Sequence, residues 1–137
     1  MTDFLSSLKI AATGLHAQNA RMRVIAENLA NADSTGKTPT DQPYRRRIPT
    51  FEAQMDDEAG GEIVKIGQIK QDMSDFQEKY EPGNPAADKN GYVKYPNVDP
   101  LIETMDMREA QRTYEANLNV VTVTRQMLGR TLDILKG

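Results

Sequence analysis

The sequence predicts a mainly α-helical fold with a small β domain. Long N- and C-terminal helices are expected to pair as a coiled coil, and the middle segment is expected to form a small antiparallel β unit with loops. Both ends of the chain carry apolar residues at heptad spacing, whereas six of the seven prolines and six of the nine glycines lie between residues 33 and 98. These patterns predict a helical domain made of two segments, residues 1–33 and 99–137, and a β/loop domain, residues 34–98.

The amount of apolar material limits the size of any core. Leu, Ile, Val and Phe together make up 27 of the 137 residues, and 18 of these lie in the two terminal segments. That share, about 20%, is near the boundary between globular and disordered compositions. A large single core is therefore excluded.

The N-terminal segment is typical of one amphipathic helix, from about residue 3 to residue 32. Thr2 or Asp3 can cap its start, and the turn-forming run 31–36 marks its end. Its apolar seam advances in alternating steps of three and four residues and has one polar member; it consists of Leu5, Leu8, Ala12, Leu15, Asn19, Met22, Ala26 and Leu29.

The sequence of the middle segment predicts short strands separated by turns. Prolines break any helix over residues 33–60, which are expected to be loop with one possible strand at 44–48. Further strands are expected at 62–71, with a bulge at Gly67, at 76–80 and at 91–95. The acidic run 56–58 before Gly60 and Gly61 predicts a solvated, mobile loop tip.

The C-terminal segment begins with a strong helix start, because Asp99 can accept a capping hydrogen bond and Pro100 fits the first helical position. Its seam again alternates steps of four and three, and contains Met107, Gln111, Tyr114, Leu118, Val121, Arg125, Leu128, Leu132 and Leu135. Val120, Met127 and Ile134 lie beside this seam at intervals of seven. Gly129 either permits the close approach of another backbone or is a tolerated weak point in the helix.

Two such helices have more apolar surface than one pairing can bury. The apolar residues beside each seam would stay partly exposed, which favours assembly with other chains. The alternative is a monomeric helical hairpin capped by the middle segment.

Few residues suggest chemistry. The absence of cysteine excludes disulfides and thiol catalysis, His16 is expected at the surface, and the acidic run 56–58 lacks the spacing of a calcium loop. Arg45, Arg46 and Arg47 alternate faces on an extended stretch, in a net acidic chain (formal charge −3), so a protein contact is favoured over nucleic acid. No membrane span and no cleaved secretory signal are expected, nor is any metal or cofactor.

Several runs resemble the axial proteins of the bacterial flagellum. Glu27-Asn28-Leu29-Ala30-Asn31-Ala32, followed by Ser34 and Gly36, is similar to the Asn-rich signature that ends their N-terminal helix. The runs 42–46, 80–85, 91–99, 105–107 and 112–117 extend the resemblance over essentially the whole chain, toward the proximal-rod proteins of the basal body. The residues of this family signature are Asn28, Asn31, Gly36, Tyr44, Arg45, Arg46, Tyr95, Pro96, Asn97, Asp99, Glu115 and Asn117.

The resemblance implies a structural subunit of the proximal rod, not an enzyme. Such subunits are exported unfolded by the flagellar type III apparatus and assemble in the periplasm through their terminal helices into a tubular drive shaft. The implied partners are other rod subunits, further copies of the chain, the rod–ring adaptor and the export apparatus. The residues expected at the assembly interface are Leu5, Leu8, Leu15, Met22, Leu29, Tyr114, Leu118, Val121, Leu128, Leu132 and Leu135.

Two other functions remain open at the level of sequence. One is a cytosolic coiled-coil adaptor that uses the β unit as a binding module. The other is a metalloenzyme built on Asp56 and Asp57.

Overall fold

A computed structural model describes residues 2–137 and contains two long helices and six short strands. The helices are α1 (Thr2–Ala30) and α2 (Pro100–Lys136). Between them lie β1 (Arg47–Ile48), β2 (Phe51–Asp56), β3 (Gly61–Ile66), β4 (Lys70–Gln71), β5 (Gln77–Tyr80) and β6 (Tyr92–Tyr95). The prediction of two long helices flanking a small antiparallel β region is confirmed.

The strands form three separate two-stranded antiparallel sheets, β1–β4, β2–β3 and β5–β6. In the β2–β3 hairpin Phe51 pairs with Ile66 and Asp56 pairs with Gly61. The β2–β3 hairpin lies, in chain order, between the two strands of the β1–β4 ladder. Gly60 and Gly91 have positive φ angles in the turns that precede β3 and β6, a conformation that glycine adopts without steric cost.

The chain divides into two compact units, and each helix contributes to both. The first unit contains the chain as far as Met22, Thr50–Gln68 and Arg108–Gly137; the second contains Arg23–Pro49 and Ile69–Met107. The division predicted from the sequence is different: residues 1–33 and 99–137 form one domain and residues 34–98 the other. The resemblance implies that the first is the inner and the second the outer domain of an assembled structure, and this division stays a prediction.

In the first unit α1 and α2 run antiparallel. Arg21 forms an ion pair with Glu109 at 3.5 Å. Two turns earlier in α1, Gly14 faces Asn117, whose side-chain nitrogen would lie 2.9 Å from a Cβ added at Gly14. Ala110 is fully buried on this side of α2. Small residues thus allow the helices to approach closely.

The β2–β3 hairpin contacts α1 within the same unit. Lys9 lies 3.2 Å from carboxylate oxygens of both Asp56 and Glu58, and the Thr13 hydroxyl accepts a hydrogen bond from the Val64 amide at 3.3 Å. Ala59 in the hairpin turn is completely buried. Asp57 and Glu58 are exposed in the turn of the hairpin, in agreement with the predicted solvated loop tip, whereas Asp56 ends β2 and is half-buried against Lys9. The mobility of this tip stays a prediction.

Two details of the middle segment differ from the prediction made from the sequence. Residues 51–56 form strand β2 and not loop. The predicted strand 62–71 is two strands in different sheets, because the chain leaves β3 after Ile66. At that point the Gly67 amide donates to the Thr50 carbonyl, which adds one hydrogen bond at the open end of the β2–β3 hairpin. Gly67 was expected to form a bulge within a longer strand, but it lies where β3 ends.

The core of the second unit mixes apolar and polar side chains. Its buried apolar residues are Val24, Ile25, Ala86, Val93 and Val98, and they are accompanied by buried Asn28 and Glu103.

Candidate functional site

Asn28, in the last turns of α1, is about 1% exposed and uses both ends of its amide. Its Nδ2 donates to the Arg47 carbonyl at 2.9 Å and lies 3.4 Å from a Glu103 oxygen. Its Oδ1 accepts from the Tyr44 hydroxyl at 2.7 Å and from the Arg47 amide at 3.0 Å. Asn28 therefore joins the end of α1 to the extended segment 44–48 and to the start of α2.

Arg46 is the second centre of this cluster. Its guanidinium is hydrogen-bonded to Glu103 and lies 3.3 Å from Asp72 and 3.6 Å from Asp106. Its backbone amide donates to Asn97 Oδ1 at 2.7 Å. We call Asn28, Tyr44, Arg46, Asn97 and Glu103 the signature network, because four of its five members belong to the sequence signature.

The contacts around Arg46 favour the charged states of Arg46 and of its partner Asp72. Burial opposes the charge on Arg46, but the hydrogen bond to Glu103 and the pairing with Asp72 outweigh it and raise the pKa of the guanidinium. The pKa of Asp72 is lowered, first by hydrogen bonds from the Ser74 amide and hydroxyl and then by Arg46. Glu103, which is about 1% exposed, is paired with Arg46, as a buried carboxylate has to be to keep its charge.

Other signature residues stabilise local structure in the same unit. Arg45 stacks 4.2 Å from the centre of the Phe76 ring, and Asn31 Nδ2 bonds the Glu27 carbonyl at 2.9 Å at the end of α1. Asp99 caps α2 by accepting from the Leu101 amide at 3.0 Å. Gly36 is required sterically, because an added Cβ would lie 2.7 Å from the Asp41 side chain.

The remaining signature residues are spread over both units. Tyr95 donates to Glu81 at 2.8 Å, which lowers the pKa of Glu81 and raises that of Tyr95, and Pro96 is buried beside it in sequence. Asn117 faces Gly14 in the first unit, and Glu115 is exposed there. The signature is thus mainly, but not wholly, one structural cluster.

Glu103 and Asp72 are the members of this cluster that sequence reasoning missed. The sequence indicated Glu103 only as a favourable charge near the start of a helix. A detectable signal was its position: Glu103 is seven residues before Ala110, on the line of α2 that also carries Asn117 and Thr124, so it lies on the buried side. Asp72 carried no such signal, since it lies in a short connection between strands.

The eleven predicted interface residues are here called the interface seam. None of them is fully buried in the subunit, and only some are fully exposed. Seven are half-buried: Leu8, Leu15, Met22, Leu29, Tyr114, Val121 and Leu128. Four are exposed: Leu5, Leu118, Leu132 and Leu135, the last with 72% of its surface accessible. On α2 the line that faces α1 contains buried Ala110 and Thr124 and, between them, Asn117, which faces Gly14. This line runs beside the seam.

Nothing in this arrangement resembles a reaction centre. His16 lies exposed on α1. Within residues 2–137 no three His, Cys, Asp or Glu side chains are grouped so as to hold a metal ion. Over the same part of the chain, neither helix has an apolar stretch long enough to span a bilayer.

Comparison with known proteins identifies the family. A family described as "Flagella basal body rod protein" matches residues 8–36, and one described as "Flagellar basal body rod FlgEFG protein C-terminal" matches residues 89–134. Along its whole length the chain is 50% identical to the flagellar basal-body rod protein FlgC of Agrobacterium fabrum, over 99% of that protein.

Two more distant relatives carry the same name. The FlgC of Aquifex aeolicus is 39% identical over 99% of this chain and 100% of its own length. The FlgC of Salmonella typhimurium is 42% identical over 95% of this chain and 96% of its own length. These matches span the signature network and both helices. The chain belongs to the FlgC family of flagellar basal-body rod proteins, and it is a structural, non-enzymatic subunit of the rod.

Proposed function

We propose that the interface seam forms the contacts between neighbouring subunits in the proximal rod. The observation that carries this proposal is the exposure of large apolar side chains at the free end of α2. Leu132 and Leu135 of the seam are both exposed there, within about one helical turn. Each large apolar side chain that becomes fully buried on assembly would contribute about 1.5–3 kcal/mol.

The small core of the subunit supports the same proposal. Prolines apart, nine apolar residues of the described chain are buried, and five of them are alanines. Such a core stabilises a folded chain only weakly, so contacts with neighbours add what the subunit lacks. A weakly stabilised chain is also readily unfolded, which suits export in an unfolded state by the flagellar type III apparatus.

The partners follow from this role. Assembly with other rod components is implied by the family. We further propose that the neighbours include other copies of this chain and a rod–ring adaptor. In the assembled tube, residues 1–33 and 99–137 would form the inner helical layer and residues 34–98 the outer domain.

Replacement of Leu135 by aspartate tests the interface seam without disturbing the subunit. Because Leu135 is 72% exposed, Leu135→Asp should leave the folding of the isolated protein unchanged, as measured by circular dichroism. In a strain that lacks the native gene, the variant should lower the number of basal bodies about tenfold or more, since a charge would be buried at each contact. Leu128→Asp should have the same effect on basal bodies.

The matched control is Gln126→Asp, which places the same carboxylate at an exposed position of α2 outside the seam. It should assemble and swim normally. Normal basal bodies in both Leu128→Asp and Leu135→Asp would show that the seam is not the assembly interface.

A further inference from the structure

The first unit carries a second exposed apolar surface, on the β2–β3 hairpin. Paired residues share a face of a two-stranded sheet, and successive pairs alternate between the two faces. Asp56 and Gly61, which pair with each other, lie on the face that contacts Lys9 and Ile10 of α1. The opposite face therefore carries the pairs Phe51–Ile66, Ala53–Val64 and Met55–Glu62.

This opposite face, here called the hairpin face, is apolar and exposed. Met55 is 64% exposed, Phe51 41% and Val64 38%. Its one charged member is Glu62. An apolar groove of about 250 Å³ between α1 and β3, to which Val64 and Ile66 contribute, borders it. A surface of this kind is unusual for an isolated protein and marks an interaction site.

A matching surface lies on α2 of the same unit. Val120, Val123, Met127, Arg130 and Ile134 are spaced by three and four residues, so they form one stripe, which we call the outer stripe. All five are exposed. Relative to the line of α2 that contacts α1, the outer stripe lies on one flank and the interface seam on the other.

The charges of the two surfaces are complementary. Arg130 is the single charge within the outer stripe, and Glu62 is the single charge within the hairpin face. In the described chain neither of them forms an ion pair. The hairpin as a whole is acidic, with five carboxylates and one lysine between residues 51 and 66, whereas α2 carries Arg125, Arg130 and Lys136 against Asp133 over its last turns.

We infer that the outer stripe of one subunit packs on the hairpin face of a second copy of this chain, with Arg130 paired to Glu62. Because the two surfaces differ, the contact is head-to-tail, and repetition of a head-to-tail contact generates a helical polymer. This inference rests on the proposal that copies of the chain touch one another in the rod. It adds an interface distinct from the seam.

Charge reversal and its compensation test the pair. Glu62→Lys and Arg130→Glu, each expressed in place of the native protein, should lower the yield of basal bodies about tenfold, because each puts two like charges together at every contact. The double variant Glu62→Lys/Arg130→Glu restores an opposite pair and should return the yield to within about twofold of normal. Circular dichroism of the purified variants should be unchanged, since both side chains are exposed.

Asp57→Lys is the matched control, since Asp57 is exposed in the turn of the same hairpin, outside the hairpin face. It should assemble normally. Normal assembly of either single reversal, or a double variant no better than the singles, would overturn the inference. The seam is judged separately: if Leu135→Asp still blocks assembly in that case, the proposed function stands.

Cross-linking gives an independent measurement, because the chain has no cysteine. Copies with Met55→Cys and copies with Met127→Cys are expressed together, with distinguishable tags, and oxidised in isolated basal bodies. The expected product is a disulfide-linked dimer that carries both tags. Its absence, with a normal yield of basal bodies, would also overturn the inference.

Discussion

The side-chain amide of Asn28 connects three segments of the second unit. The side chain is buried and satisfies the Arg47 amide and carbonyl, the Tyr44 hydroxyl and a Glu103 oxygen. Buried polar groups without partners cost far more than a hydrogen bond contributes, so removal of Asn28 would leave several groups unpaired at once. The first asparagine of the Asn-rich signature is thus explained by its hydrogen bonds to the segment 44–48.

We predict that Asn28→Ala destabilises the isolated protein by about 2–4 kcal/mol, because it leaves the backbone of Arg47 and the hydroxyl of Tyr44 unpaired. Asn31→Ala is the control on the same helix end. Asn31 is half-buried; it donates to the Glu27 carbonyl and accepts from the exposed Ser34 hydroxyl, so its loss should cost about 1 kcal/mol or less. Urea denaturation measures both, and equal costs would contradict the role given to Asn28.

Asp72 should make the subunit sensitive to acid. Its pKa is lowered in the folded protein from an ordinary value of 3.8, by hydrogen bonds from Ser74 and by Arg46. A group with a depressed pKa stabilises the fold above its unfolded pKa, and this stabilisation is lost as the pH falls through the folded pKa. The contribution is therefore complete above about pH 5 and declines below about pH 4.

We predict that the free energy of unfolding of Asp72→Asn falls less steeply between about pH 5 and pH 2 than that of the native protein. Some dependence on pH should remain, because the pKa values of Asp56 and Glu81 are also lowered. Denaturation at several pH values measures the two curves. Parallel curves below pH 4 would contradict the part assigned to Asp72.

At the scale of elements, the helices were predictable and one strand was missed. Heptad spacing and the cap at Asp99 predict both helices, and α2 begins at Pro100 as expected. Strand β2 was missed because its acidic end suggested a loop, although Phe51, Ala53 and Met55 alternate with polar residues over 51–56. That alternation is the signal of a strand with one apolar face, and here the apolar face is the exposed one.

Gly129 within α2 lies in open space, since no atom of the described chain would fall within 4 Å of an added Cβ. The close backbone approach considered from the sequence does not occur within the subunit. Glycine therefore costs the isolated helix about 1 kcal/mol relative to alanine.

We predict that Gly129→Ala raises the helix content and the thermal midpoint of the isolated protein, as measured by circular dichroism. Gly83→Ala, in a turn with equally open space around it, is the control and should leave the helix content unchanged. An unchanged or lower helix content for Gly129→Ala would show that the last turns of α2 do not form a stable helix in the free subunit.

At the scale of the whole molecule, apolar side chains are distributed unlike those of a self-sufficient domain. The buried apolar residues are alanines, valines and one isoleucine, and the largest fully buried side chain is that of Glu103. Many of the larger apolar side chains are exposed instead, on the interface seam, the outer stripe and the hairpin face and also at the start of α2, where Leu101, Ile102 and Met105 lie. A subunit built this way depends on neighbours for much of its stability.

Two properties follow from the sequence alone: the two long helices and the absence of a large core. Helical periodicity is local, and the number of apolar residues limits burial in any fold, so neither property requires knowledge of tertiary contacts. Tertiary structure decided the rest. It brought Glu103 and Arg46 together from positions 57 residues apart, and it turned the apolar face of β2 and β3 outward. Pairing between distant residues depends on how the chain returns on itself, which local patterns do not encode.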